Sequence, residues 1–278
     1  MSISLLSLAG SGLAWTLSLA VVAWAVSVPL RDVSIVDSLW SWLIAGAGVV
    51  YLWRAGLPWG WAWVAGVIAL VWALRLSGYI AWRHRGRGED RRYQAIRARN
   101  QPNFALKSLW LVFLLQAVLA WVVSSPLLAL AWLGAQPGAS AWGSPVQSAV
   151  CLAGALLALT GTVVEAIADA QMGAYKALPE SRRPPVMDQG LWRYSRHPNY
   201  FGECCVWWGL SVMALAYGGY GALVSAVLMT WLLLKVSGVT LLEKDLAGRS
   251  VAYQDYVRRT PAFVPGRPRP PHLTEELL

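Results

Sequence analysis

Ser195-Arg196-His197-Pro198-Asn199-Tyr200-Phe201-Gly202-Glu203 opens directly into an apolar, tryptophan-rich segment. A cation, an imidazole, an amide, a phenol and a carboxylate are gathered there, in a chain that has only three histidines and is 57% hydrophobic. Pro198 fixes φ and suits the first turn of a helix. Asn199 and Glu203 then stand at i and i+4 and share one helical face. Arg196 and His197 lie just outside, near the positive end of that helix, where an anionic ligand is favoured. An interfacial anchor, with arginine on lipid phosphate and tyrosine in an aromatic belt, accounts for Arg196 and Tyr200. It does not account for Glu203 heading into the bilayer, and an ionisable residue at that depth points to function.

The surrounding composition makes the bilayer the right solvent. The chain of 278 residues carries 18 tryptophans and only 13% charged residues, against about 25% in soluble domains. Several apolar runs exceed about 18 residues, the length of a membrane helix. The sequence predicts an all-α polytopic membrane protein, with spans near 9–30, 34–53, 58–82, 108–133, 146–170, 199–217 and 220–242. The first span lacks a basic n-region and is long, so it reads as a retained helix and not as a signal peptide. No repeat, linker, GxGxxG, Walker motif or GxSxG elbow interrupts the pattern. A single domain is expected, with a loose tail after about residue 265. Cys151, Cys204 and Cys205 lie in apolar spans and behave as small hydrophobes.

Basic residues alternate sides. The 83–107 connection holds eight, the 171–198 connection five and the C-terminal tail six, with Arg31 in the first turn; the opposite side has Arg54 alone. The positive-inside rule puts the N-terminus outside and the C-terminus in the cytoplasm. Topogenesis and anionic lipid explain most of the net charge of +9, so nucleic acid is not an expected partner. Asp37, Arg75, Glu165, Asp169, Glu203, Lys235 and Glu243 fall within or at the ends of spans, each costing about 2.5–3.5 kcal/mol on insertion scales. Glu165 and Asp169 share a helix face at i, i+4. No HExxH and no Cys/His set accompanies them, so no metal is expected. Most of these charges sit near cytoplasmic ends, and a polar pocket opening to the cytosol is expected.

Gly190-Leu-Trp-Arg-Tyr194-Ser-Arg-His-Pro-Asn-Tyr-Phe-Gly-Glu203 resembles the C-terminal signature of the steroid 5-alpha-reductase family in its bacterial branch. The Glu165-x-x-x-Asp169-x-Gln171 segment, Ser237-Gly238 to Glu243, and the Tyr253-x-x-Tyr256…Thr260-Pro261-x-Phe263 tail match it too. The likeness runs from about residue 30 to 265. The Arg-His-Pro-x-Tyr core alone is less specific, being similar to sterol C14-reductases, isoprenylcysteine carboxyl methyltransferases and phospholipid methyltransferases.

The resemblance implies a seven-helix membrane reductase that uses NADPH to reduce the Δ4 double bond of a 3-oxo-Δ4-steroid or another lipophilic enone. It implies an inner-membrane protein whose site opens to the cytoplasm. By motif position it places Asp169, Asn199, Glu203 and Glu243 at the cofactor, with Lys235 and Lys176 where the family carries basic residues. Arg75 and Tyr79 match an Arg-x-x-x-Tyr pair on the third span, and Arg83, Arg183, Tyr194, Arg196 and His197 are further cofactor positions. The family pairs a carboxylate on the second span with a tyrosine on the third. Here Asp37 is the second-span carboxylate, expected to donate as a protonated acid. Trp72 stands near the tyrosine's place, at the substrate, and an indole N–H donates no useful proton. Tyr79, Tyr51 or water are the alternatives for the proton, and a helix-capping role beside Asp32 and Ser34 is the structural alternative for Asp37. The rival activity is S-adenosylmethionine-dependent methyl transfer on the same Arg-His-Pro-x-Tyr core.

Overall fold

A computed structural model describes residues 3–236 and 251–270; Glu243 and Ser237-Gly238 lie outside the described residues. Those residues are helical, with no strand among them. The helices are α1 Leu5–Leu30, α2 Ile35–Ala55, α3 Trp61–His84, α4 Arg91–Arg99, α5 Phe104–Val123, α6 Ser125–Gly134, α7 Pro145–Ala177, α8 Pro198–Leu215, α9 Tyr220–Val236 and α10 Val251–Arg259. Both α5 and α9 contain a π-helical turn, at Leu109–Leu114 and Leu232–Val236. Five helices (α1, α2, α3, α5 and α7) are long and apolar enough to cross a membrane, and α6 and α9 are shorter apolar helices. The chain is a polytopic membrane protein.

One boundary differs from the sequence reading. The run 108–133 is not one span but two helices, α5 and α6, meeting at Ser124. Pro126 has no N–H to continue the α5 ladder, and its ring clashes with the carbonyl one turn back; it fits only in the first turn of a new helix. Sequence hydropathy is blind to that break because both sides are equally apolar. At the other end, α8 has 18 residues, about 27 Å of helix at 1.5 Å per residue, a little short of the roughly 30 Å hydrocarbon core.

Two compact units divide the chain, one formed by Met1–Leu156 and Trp208–Ala226, the other by Leu157–Trp207 and Val227–Leu278. In the first unit, α2 packs on α1 and α3. Exposed aromatic side chains mark its two ends. Trp53, Trp59, Trp142 and Tyr220 stand at one, Trp82 and Trp110 at the other, as aromatic belts do at the two membrane surfaces. Tyr51 is fully buried there and shares a hydrogen bond of 3.0 Å with Ser124 Oγ. Its hydroxyl is therefore committed to packing.

In the second unit, α7 and α8 cross at Gly161 and Gly202. A Cβ on Gly161 would lie 2.4 Å from the Gly202 carbonyl oxygen, and one on Gly202 2.6 Å from that of Gly161. Only glycine allows the two backbones to approach so closely, as small residues do at membrane helix interfaces. The crossing lies one residue before Glu203 and one turn before Glu165, so it fixes the depth of both carboxylates.

The tail is engaged beyond residue 265. Gly266 N–H donates to Tyr194 O, and Arg269 N–H to Arg259 O, both at 2.9 Å. The expectation of a loose segment from Gly266 is thereby corrected for residues 266–269; those backbone donors have partners that the sequence does not display.

Candidate functional site

Two polar clusters stand out, one in each unit. The first is built on α4, inside the basic connection that reads as a loop in the sequence. Asp90 caps α4, its carboxylate accepting the Arg92 N–H at 2.9 Å. The Asp90 N–H donates to Ser34 Oγ at 2.9 Å, and Ser34 Oγ donates to Asp32 Oδ1. Glu89 accepts the Val33 N–H at 3.0 Å and pairs with Arg97 at 2.7 Å. These bonds stitch the α1–α2 turn to the start of α4. Partial burial pushes the Asp90 carboxyl upward, but the hydrogen bonds and charge of Arg92 outweigh it and hold the group below its ordinary value.

That stitching lays α4 across the first turn of α2, where Asp37 sits. Tyr93 Oη donates to Asp37 Oδ1 at 2.5 Å. Arg92 Nη2 donates to Asp37 Oδ2 at 2.7 Å. Gln116, from α5, donates its amide N–H to Tyr93 Oη at 3.1 Å. Tyr93 is 6% exposed and packs among Val33, Val36, Phe104 and Phe113. Both oxygens of Asp37 thus accept hydrogen bonds, one from Tyr93 and one from Arg92. Asp37, which the sequence offers as the proton donor, does not stand free: its two oxygens hold Tyr93 and Arg92. Capping is also not its role, since Asp32 takes the local bonds to Ser34.

Burial, the Asp37 charge and the hydrogen bond to Asp37 all push the Tyr93 hydroxyl above its ordinary 10.0. Tyr93 is neutral at any physiological pH. The linkage has a fixed sign: a raised folded-state value contributes stability below the unfolded value, and that stability is lost as pH rises past it. Melting temperature is therefore expected to fall above about pH 10 in the wild type, and to fall less in Tyr93→Phe. Equal alkaline losses in the two proteins would show that the phenol is not held as described.

The sequence shows Tyr93 only as the neighbour of Arg91 and Arg92 in a basic cluster that could serve a dinucleotide phosphate, and not as an acid, because eight basic residues dominate its connection. The signal present was Asp90 as a cap, followed by Tyr93, Ile96 and Arg97 at i, i+3, i+4. The other first-unit candidates are placed differently. Trp72, expected at the substrate, is fully buried on α3. Tyr79 lies half-buried on α3, with its ring 6.1 Å from that of Trp82 and the Arg83 guanidinium 5.7 Å above it. Arg75 lies one turn before Tyr79 on α3, also partly buried.

The second cluster follows the stretch that opens α8. Pro198 is its first residue, as the sequence predicts. Asn199 Nδ2 donates to Asp169 Oδ1 at 3.2 Å, and the Asn199 Oδ1 atom is buried without a hydrogen-bond partner among the described residues. Glu165, Asp169, His197 and Glu203 are all buried. The His197 ring stacks on Tyr200, centroids 5.6 Å apart, and the His197 backbone N–H donates to Ser195 Oγ. Upstream, Gln171 Oε1 accepts the Leu191 N–H at 3.0 Å and Trp192 Nε1 donates to Ala168 O. Gly190 makes this possible. Its φ is +58°, and a Cβ there would meet the Gln171 side chain at 2.4 Å.

Two of the cations expected at a cofactor, Arg196 and Arg183, also hold backbone carbonyls. Arg196 Nη1 donates to Val257 O and Thr260 O at 2.7 and 2.6 Å, clamping the C-terminal tail onto the stretch. Tyr256 Oη donates to Trp192 O at 2.5 Å, and Ser195 Oγ to Phe263 O at 2.8 Å. Arg183 Nη2 donates to Lys176 O and Leu178 O and so caps the end of α7. Tyr194 is exposed, and Lys176 and Lys235 are exposed at helix ends. The structure brings together Asp169 and Asn199, with Glu203 one turn further along α8; it assigns Arg196 and Arg183 to backbone carbonyls.

Residues 23–260 match the family described as protein of unknown function DUF1295. The chain belongs to the DUF1295 family. No curated protein and no solved structure matches it. The matched range of this DUF1295 chain takes in both clusters, from Asp37 and Tyr93 to Asn199, Glu203 and Tyr256. It ends at Thr260, the residue whose carbonyl Arg196 holds.

Proposed function

We propose that this protein is an NADPH-dependent membrane reductase of the steroid 5-alpha-reductase type, in its bacterial branch. It reduces the C4–C5 double bond of a 3-oxo-Δ4-steroid or a related lipophilic enone. The DUF1295 family is associated with steroid 5-alpha-reductase-like membrane proteins. The observation that carries the reading is the buried Tyr93 hydroxyl, held by Asp37 and Gln116. A neutral phenol fixed by a carboxylate is the acid that enone reduction needs.

The second cluster supplies a donor set that fits a nicotinamide nucleotide. The orphaned Asn199 oxygen offers an acceptor to a carboxamide N–H or a ribose hydroxyl. Asp169 and Glu203 add buried acceptors for the same kinds of donor. NADPH, when bound, supplies the hydride. For this, the Tyr93 O–H, which donates to Asp37 in the structure, turns to the carbonyl oxygen, donates its hydrogen bond there and then its proton as negative charge develops. The Asp37 carboxylate opposes the phenolate so formed; the Gln116 amide N–H and the Arg92 guanidinium, 5.6 Å from the ring centre, offset that repulsion, and water returns the proton to Tyr93. The enol returns to the ketone with the proton on C4, so the product gains two hydrogens. The apolar exterior lets a steroid arrive from the bilayer, and the basic connections favour a bacterial inner membrane with this end in the cytoplasm.

The test is to incubate purified protein with NADPH and progesterone or testosterone and follow products by mass spectrometry. A product two hydrogens heavier, formed in step with NADPH oxidation, is the expected result. No reduction and no NADPH binding, with S-adenosylmethionine bound instead, would replace the reading with methyl transfer. Asn199→Ala and Glu203→Ala are each expected to weaken NADPH binding by about tenfold or more, each removing a buried acceptor for a ligand N–H or O–H. Calorimetric titration of folded variants checks this; unchanged affinity in both would remove the second cluster from the cofactor.

A further inference from the structure

The two faces of α4 have opposite fates. Arg92 and Arg97 turn inward, onto Asp37, Asp90 and Glu89. Arg91 and Arg99 on the helix, with Arg85 and Arg87 just before it, are exposed and have no ion pair or side-chain hydrogen bond among the described residues. These four exposed arginines lie close together in the chain, and their mutual repulsion is relieved where something anionic lies against them.

Position decides what that partner is. α4 is tied by residues 85–90 to the end of α3 and by residues 100–103 to the start of α5, both helices long and apolar enough to span the membrane. Connections so short keep α4 at the membrane surface. The ends of the same two spans expose Trp82, Leu106 and Trp110, at 64%, 57% and 56%. Exposed indoles and a leucine suit the headgroup and upper acyl region, and a soluble phosphate ligand would make no use of them. We infer that the outer face of α4 binds the phosphates of anionic phospholipids in the adjoining leaflet, through Arg85, Arg87, Arg91 and Arg99. Guanidinium donors suit phosphate oxygens, and each arginine near an anionic surface adds about fivefold to partitioning. Because the inner face of α4 carries Tyr93 and the Arg92–Asp37 pair, the bound lipid steadies that pair. The lipid site itself does not depend on the reductase reading.

The experiment uses the full chain in nanodiscs of phosphatidylcholine alone, or of an equal mixture with phosphatidylglycerol. Wild type and a variant carrying Arg85→Gln, Arg87→Gln, Arg91→Gln and Arg99→Gln are compared by thermal melting and by native mass spectrometry of retained lipid. The wild type is expected to melt several degrees higher with phosphatidylglycerol, an advantage that high salt erodes, and to retain that lipid at least about tenfold better than the variant. The variant is expected to melt like wild type in phosphatidylcholine. Should it fail to fold, the single Arg91→Gln and Arg99→Gln variants carry the test, each with a partial loss of retention. Equal phosphatidylglycerol retention in wild type and variants overturns the proposal. So does a loss of NADPH binding with lipid retention unchanged, which would give these arginines to a nucleotide phosphate.

Discussion

Tyr93→Phe is expected to lower turnover of a 3-oxo-Δ4-steroid by about 10²- to 10⁴-fold, the usual range for a positioned general acid. The substitution removes one oxygen and leaves the ring in its apolar pocket among Val33, Val36, Phe104 and Phe113. Folding and NADPH affinity are therefore expected to stay close to wild type, the latter within about twofold. Asp37→Asn is expected to cut turnover less than Tyr93→Phe. An amide oxygen can still accept one of the two bonds that Asp37 now accepts from Tyr93 and Arg92, and Tyr93 keeps its proton. Steady-state rates at saturating NADPH, with nucleotide affinity measured separately, separate chemistry from binding. Wild-type turnover in Tyr93→Phe would make the first cluster purely structural and leave the proton to another residue or to water.

Gly202→Val should destabilise the protein by about 3 kcal/mol or more, at the upper end of overpacking costs. A Cβ at this position would stand 2.6 Å from Gly161 O and 2.8 Å from Glu165 N. Both neighbours are backbone atoms of α7, which cannot rotate away as a side chain can. The helices would have to separate, and Asn199 and Glu203 would move with α8 relative to Asp169 and Glu165. Loss of nucleotide binding is expected together with the loss of stability. Gly78→Ala is the control, because a Cβ there meets nothing within 4 Å. Melting curves in detergent make the comparison. A Gly202→Val protein that melts with wild type would mean that α7 and α8 do not cross here.

The membrane class was legible in composition alone, because in lipid only segments that satisfy their own backbone survive, and such segments are long and apolar. The polar stretch at 195–203 was legible for the converse reason. A carboxylate and an amide one turn apart in an apolar helix have few structural explanations, and Asn199 does bond Asp169. Asp37 was visible on the same logic. Its partner was not. Tyr93 is 56 residues away in sequence, in a basic connection whose charge suggests only topology.

Arginine shows the limit most clearly. Nothing in the sequence separates Arg92, which turns inward to Asp37, from Arg91, which turns outward one residue earlier. Arg196 likewise reads as an anion site beside a helix N-terminus, yet its Nη1 atom is used on carbonyls of the tail 61 and 64 residues later. By itself the sequence determined where the chain meets lipid and which carboxylates are too costly there to be incidental, since both follow from transfer free energies that depend on residue type. Only the tertiary structure decided which donor meets which acceptor and where two helix backbones touch. A hydrogen bond depends on distances of a few tenths of an ångström between segments far apart in the chain, and no local pattern of residues encodes them.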